Sequence, residues 1–109
     1  VQGIPKEAVM KRIYVSHPYA SDPEGNKAKV EQICQDILSS GEGLPISPIH
    51  LFSFTDDTHR EEILKACLLL LEMTDEVWIY GTSAGVELER AKAIELGKPV
   101  WDIRKGECF

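Results

Sequence analysis

The sequence has no cluster of lysine and arginine, and its formal charge is −6. Both features argue against a nucleic-acid backbone or an anionic membrane as partner, because an acidic surface repels each unless a local basic patch offsets it. Its cysteines are few and odd in number, Cys34, Cys67 and Cys108, with no CxxC spacing. That pattern does not fit a disulfide framework or a zinc ribbon, and it suits reduced thiols in a cytoplasmic protein. His17, His50 and His59 are scattered and lack carboxylates at ligand spacing, so no metal site is expected. No signal-peptide pattern is visible, and the longest apolar run, Ala66 to Leu71, is too short to span a bilayer. A small-molecule ligand fits these absences better than a polymer or a membrane.

With 109 residues and 43% hydrophobic content, the chain reads as one soluble domain with a real core. It is small for an enzyme that binds its substrate unaided, so an oligomer is expected. Met10-Lys11 followed directly by Arg12-Ile13-Tyr14-Val15-Ser16 resembles a natural start. Residues 1–10 are therefore read as an N-terminal extension and 11–109 as the domain.

Elements alternate along that domain. Ile13 to Ser16 reads as a buried strand, followed by a loop from His17 to Gly25 on proline and glycine signals. A helix from about Asn26 to Ser40 follows, with Val30, Ile33, Cys34, Ile37 and Leu38 at helical spacing and Gly41 as its stop. Leu44 to Phe52 has room only for a short strand, because Pro45 and Pro48 remove ladder donors. Thr58 opens a second helix running to about Met73, with Glu61 as a capping-box partner. Ile63, Leu64 and the run Cys67 to Leu71 cover more than one stripe of it, which predicts a helix sandwiched in the core or shared with another subunit. Glu76 to Tyr80 is the next strand, Ser83 to Leu96 a further helix, and Pro99 to Ile103 the last strand. Such alternation makes an α/β three-layer, flavodoxin- or Rossmann-like sandwich with a short parallel sheet of four or five strands.

The informative segment is Thr82-Ser83-Ala84-Gly85-Val86-Glu87-Leu88-Glu89-Arg90-Ala91. Ser83 is a good N-cap, and nothing breaks the helix before Gly97-Lys98-Pro99. On a 3.6-residue period Glu89 shares a face with Val86, Ala93 and Leu96, whereas Glu87 lies beside Arg90, Ala91 and Glu95. Glu87 is therefore the solvated acid. A carboxylate facing the core is costly unless it is paired or lines a cleft, so Glu89 is a candidate nucleophile or acid/base. The plainer alternative is an ion pair with Lys92 at the core edge. In parallel sheets ligands sit at the carboxyl ends of the strands, which brings Tyr14, His17, Pro18, Tyr19, His50, Ser83, Gly85 and Glu89 together. The free N–H groups at the start of the Ser83 helix suit an anion. Tyr19 could stack on a base, and His59 is a surface residue.

Ile13-Tyr14 in a first strand, Thr74-Asp75-Glu76-Val77 leading into a later one, and Ser83-x-Gly85-x-x-x-Glu89 before Gly97-Lys98-Pro99-Val100 together resemble the nucleoside 2-deoxyribosyltransferase superfamily. The resemblance is to its small nucleotide-hydrolase branch and related uncharacterised domains, and it runs from Lys11 to Ile103. It implies that Glu89 is the nucleophile attacking C1′ of a deoxyribosyl group and that Tyr14 positions it. It also implies that Ser83 and Gly85 lie where the hydrolase branch holds a 5′-phosphate. An aspartate that the family uses near the nucleobase falls on Cys67, and the family's glycine-rich loop is replaced by Ser16-His17-Pro18-Tyr19.

The expected function is accordingly hydrolysis or transfer of a 2-deoxyribosyl group on a nucleoside or nucleotide through a covalent Glu89 intermediate. His17 stands in for the missing aspartate, and no metal or redox cofactor is needed. A homo-oligomer built through the 59–73 helix would complete the pocket. A non-catalytic nucleotide-binding module of the same fold is the alternative, and an interaction domain using the leucine-rich helix is a third.

Overall fold

Alternation along Arg12–Ser16 (β1) sends Ile13 and Val15 to one face of the sheet and Tyr14 and Ser16 to the other, and all four are buried. Burial on both faces marks an interior parallel strand. The computed structural model describes residues 10–104 and 106–108. The proposed extension lies almost wholly outside them.

The remaining elements are α1 (Pro23–Ser40), β2 (Leu44–Ile46), α2 (Pro48–Leu51), α3 (Arg60–Glu72), β3 (Glu76–Ile79), α4 (Ala84–Glu95), β4 (Val100–Asp102) and β5 (Glu107–Cys108). The strand order is β2-β1-β3-β4-β5. β1 pairs in parallel with β2 and β3, and β3 with β4, whereas β5 returns antiparallel on β4. This is the expected α/β sandwich with its short parallel sheet.

Two cores lie on the two faces. Ile13 and Val15 meet Val30 and Ile37 of α1, while Tyr14, Val77, Ile79 and Val100 meet Leu71 of α3 and Val86 and Ala93 of α4. Each fully buried side chain of this size contributes about 1.5–3 kcal/mol. Chain direction reverses between β1, which leads outward to β2, and β3, which leads to β4 on the other side. Right-handed crossovers then put α1 on one face and α3 and α4 on the other. The crevice at that reversal, beyond the strand ends, is where such sheets bind ligands.

Several boundaries differ from the sequence expectation. α1 starts three residues early, because Asp22 caps it by accepting from the Gly25 N–H at 3.3 Å and Pro23 occupies a first-turn position that needs no N–H. β2 ends at Ile46. Beyond it, Ser47 accepts from the His50 N–H and Pro48 opens the short helix α2, so the loop expected after Ile49 or Leu51 begins earlier. Thr58 is not the cap of α3: Asp56 accepts from its N–H at 2.9 Å, a 3₁₀ turn spans Asp57–His59, and the helix starts at Arg60 with no side-chain cap. Its leucine run splits as helical geometry requires. Leu71 is fully buried, Cys67 is 8% exposed, and Leu69 stays 60% exposed.

Two polar clamps tie the layers. Asp75, in the turn before β3, accepts from the Arg12 backbone N–H at 2.7 Å and from its guanidinium at 3.0 and 3.2 Å. Those hydrogen bonds hold the Asp75 carboxyl down at about 2. Asp102, fully buried at the end of β4, takes Arg90 of α4 at 3.1 Å and Arg104 at 2.8 Å, and its carboxyl is likewise lowered to about 2. No helix among the described residues is long and apolar enough to cross a membrane.

Replacing Leu71 by alanine is expected to cost about 2–5 kcal/mol in urea unfolding, whereas Leu69→Ala should stay within about 0.5 kcal/mol. A larger loss at Leu69 that depends on protein concentration would put that side chain in a subunit contact.

Candidate active site

The face of β1 that carries Tyr14 also carries Ser16, and α4 lays Glu89 directly over both. Glu89 is only 7% exposed. The Tyr14 hydroxyl donates to its Oε2, and the Ser16 hydroxyl donates to its Oε1 at 2.7 Å. Each carboxylate oxygen thus receives one hydroxyl proton, and the expected alternative of an ion pair with Lys92 is not formed among the described residues. Val86 and Ala93 are buried beside it as the helical period required, while Leu96, at the end of the helix, is 40% exposed. Glu87 is exposed on the neighbouring stripe, 3.6 Å from Arg90.

Burial raises the Glu89 pKa, and the bonds from Tyr14 and Ser16 oppose the rise. The Tyr14 hydroxyl is pushed far above the ordinary phenol range, first by burial and then by the Glu89 charge. Tyr14 therefore keeps its proton and serves as a fixed donor. Cys67 of α3 sits close by, and its thiol is raised to about 11 by burial and then by Glu89.

In front of the carboxylate opens a cleft of about 390 Å³, lined by the loop after β1 (His17 to Ser21), Pro48, Ile49 and Phe52 around α2, Arg60, Ile63, Leu64 and Cys67 of α3, and Thr82 to Val86, Leu88 and Glu89. This volume lies within the range of small-molecule sites. Ser83 caps α4 by accepting from the Val86 N–H at 3.1 Å, leaving the first-turn N–H groups of Ala84 and Gly85 without intrahelical partners at the cleft wall. A Cβ on Gly85 would meet only Ser83 Oγ, at 3.9 Å, so the fold itself does not demand glycine there. At Gly81 the opposite holds. A Cβ would come within 2.6 Å of the Pro18 ring, so only glycine lets the β3–α4 loop pack against the His17-Pro18 turn.

Of the residues singled out by sequence, His17, Pro18, Tyr19, Ser83, Gly85 and Glu89 line the cleft. Tyr14 stands behind Glu89 rather than in the cleft wall. His50 is not brought to the lining. Helix α2 turns it onto Ser47 Oγ at 2.7 Å, and its buried Nε2 has no partner among the described residues. His17 Nδ1 lies 2.7 Å from the Pro18 carbonyl, which can only accept, so that nitrogen carries a proton. His59 is exposed at the start of α3, 3.7 Å from Glu62. Sequence reasoning missed Ser16, although its place two residues after Tyr14 on a strand was a sufficient signal. It also missed Gly81 and Arg60, whose roles depend on which loops meet. No group of three or more potential metal ligands occurs among the described residues.

Three comparisons bear on this geometry. The sequence profile of a family described as Domain of unknown function (DUF7768) matches residues 11–103. No curated protein matches the chain. A solved structure of a 2-deoxyribosyltransferase from Bacillus psychrosaccharolyticus superposes with a TM-score of 0.59 at 21% identity, covering 83% of this chain and 69% of that one. At that identity the likeness concerns the fold.

Because the folded-state pKa of Glu89 is raised, its stabilising contribution is full below the ordinary carboxyl value of 4.5 and is lost as pH rises through the folded-state pKa. Glu89→Gln removes that titration. The urea midpoint of the variant should therefore gain on the wild type as pH rises from 4.5 and then level off. Tyr14→Phe deletes an opposing bond and should move the wild-type loss to higher pH, read by carboxyl NMR titration.

Proposed function

The chain belongs to the DUF7768 family, and for it we infer cleavage of the N-glycosidic bond of a nucleoside or nucleotide, by hydrolysis or transfer of a 2-deoxyribosyl-type group, with Glu89 as nucleophile. One observation carries this reading: a carboxylate 7% exposed, gripped on each oxygen by a hydroxyl, forms the floor of the cleft at the sheet's topological reversal. A structural carboxylate would be neutralised by a cation, whereas this one is aimed and desolvated without being paired.

Glu89 attacks the anomeric carbon as the base departs from the opposite side, and the developing oxocarbenium charge is stabilised by the carboxylate itself. Water or a second base then takes the sugar from Glu89, with net retention. Tyr14 and Ser16 hold the carboxylate plane throughout, because their bonds lock its rotation and leave one lone pair of each oxygen for the substrate. The first-turn N–H groups of Ala84 and Gly85 suit the 5′ end of the sugar. The structural neighbour, a 2-deoxyribosyltransferase, supports the fold on which such chemistry sits. α3 and its C-cap leave Leu69 and Met73 60% and 64% exposed, which supports assembly of a homo-oligomer through that helix.

A second reading, a nucleotide-binding module without turnover, draws on Cys67, a thiol where a leaving base would otherwise meet a carboxyl. A chromatographic screen of nucleosides and their 5′-monophosphates, with and without an acceptor base, separates the two. Base release or exchange by the wild type should fall to background in Glu89→Gln, and mass spectrometry should find a sugar adduct on the Glu89 peptide. Ligand binding without release, unchanged in that variant, identifies the module.

A further inference from the structure

Breaking a neutral N-glycoside sends the bonding electron pair to the base, which leaves as an anion unless an acid protonates it. Among the described residues, the cleft lining offers no group suited to that task. Its titratable lining residues are His17 and Tyr19 from the loop after β1, Asp56 before α3, Arg60 and Cys67 on α3, and Glu89 on α4. In neutral His17 the proton resides on Nδ1, committed to the Pro18 carbonyl at 2.7 Å, so Nε2 presents a bare lone pair: an acceptor. Asp56 is held below its ordinary carboxyl value by hydrogen bonds from the Thr58 side chain and backbone, and is ionised. The Cys67 thiol is a weaker acid than an ordinary one, raised by burial to about 11. The Tyr14 proton belongs to Glu89.

What the cleft does offer is negative charge and aromatic surface. Among the described residues Glu89 and Asp56 line it together with Arg60, and two aromatic residues, Tyr19 and Phe52, belong to the same lining. A flat, positively charged heterocycle gains from both.

We propose that the cleft takes N-glycosides whose leaving base already bears a positive charge, an N-glycosylpyridinium or an N7-alkylated purine nucleoside, in preference to neutral nucleosides. This rests on Glu89 as nucleophile. A Glu89 oxygen bonds to C1′, the C1′–N bond breaks, and its electron pair neutralises the cationic ring, which departs as a neutral base with no proton supplied. A water oxygen then bonds to C1′, Glu89 leaves as carboxylate, and the water proton passes to His17 Nε2 and on to solvent. Overall, a cationic glycoside and water give a sugar, a neutral base and one proton. Arg60, exposed at the outer end of α3, is placed for a phosphate on a nucleotide form of such a substrate.

The test compares nicotinamide mononucleotide, nicotinamide riboside and 7-methylguanosine with adenosine, guanosine, their 2′-deoxy forms and 5′-monophosphates, using wild type and Glu89→Gln, with released base read by chromatography. Cationic substrates should exceed neutral ones by at least about 100-fold in kcat/KM, the usual contribution of a general acid. With nicotinamide mononucleotide and nicotinamide riboside, whose pyridinium charge does not titrate, the rate should show no decline on the alkaline side between about pH 6 and 9, because no acid group need stay protonated. The pyridinium and purinium arms decide which heterocycle the walls accept. Comparable cleavage of the neutral ribosides, or an alkaline decline with the pyridinium substrates, overturns this proposal while leaving Glu89 chemistry intact. No Glu89-dependent release from any member by the folded protein overturns both. Cys67→Asp, which adds a carboxyl beside the leaving base, should raise neutral-substrate turnover relative to cationic.

Discussion

The contact between Glu89 and the two hydroxyls of β1 is the constraint around which the rest is arranged. A carboxylate buried against a sheet is destabilising unless its charge is met, and here it is met by neutral donors rather than by a cation. Neutral donors hold the oxygens in place without quenching their negative charge. The consequence is a carboxylate kept ionisable but short of water, at the floor of a cleft whose walls are largely apolar. The same contact fixes how α4 sits on the sheet, since moving the helix along its axis would strand both hydroxyls and the carboxylate together.

Topology brings the other parts to that point. The chain reverses direction between β1 and β3, so the loops after these two strands meet at one end of the crevice, and Gly81 lets them touch by giving way to the Pro18 ring. Helices α3 and α4 both run back toward the starts of the strands they precede, which turns their first turns, with Arg60 and the Ser83 cap, toward the cleft mouth. Asp102 at the end of β4, clamped by Arg90 and Arg104, ties α4 to β4 as well. The same packing sets the cleft's details: His17 Nδ1 faces the Pro18 carbonyl, and the Cys67 thiol lies beside Glu89.

The alternating pattern of strands and helices, the parallel sheet, and the choice of Glu89 over Glu87 were legible from periodicity, because side-chain direction in a helix or interior strand repeats with the backbone. Ser16 was equally legible by the same rule. The start of α1 could be read from Asp22-Pro23, a cap followed by a first-turn proline. The antiparallel β5 and the early end of β2 could not, since a two-residue edge strand and a proline-rich turn carry little periodic signal.

By itself the sequence determined which residues face inward on each element, and hence that one carboxylate of α4 would be buried, because a local period sets that geometry. Only the tertiary structure decided what met it. That hydroxyls of β1 rather than Lys92 reach Glu89, and that Gly81 comes up against the Pro18 ring, depend on distances of a few ångströms between segments far apart in the chain. Such distances come from the packing of the whole molecule, and no window of neighbouring residues contains them.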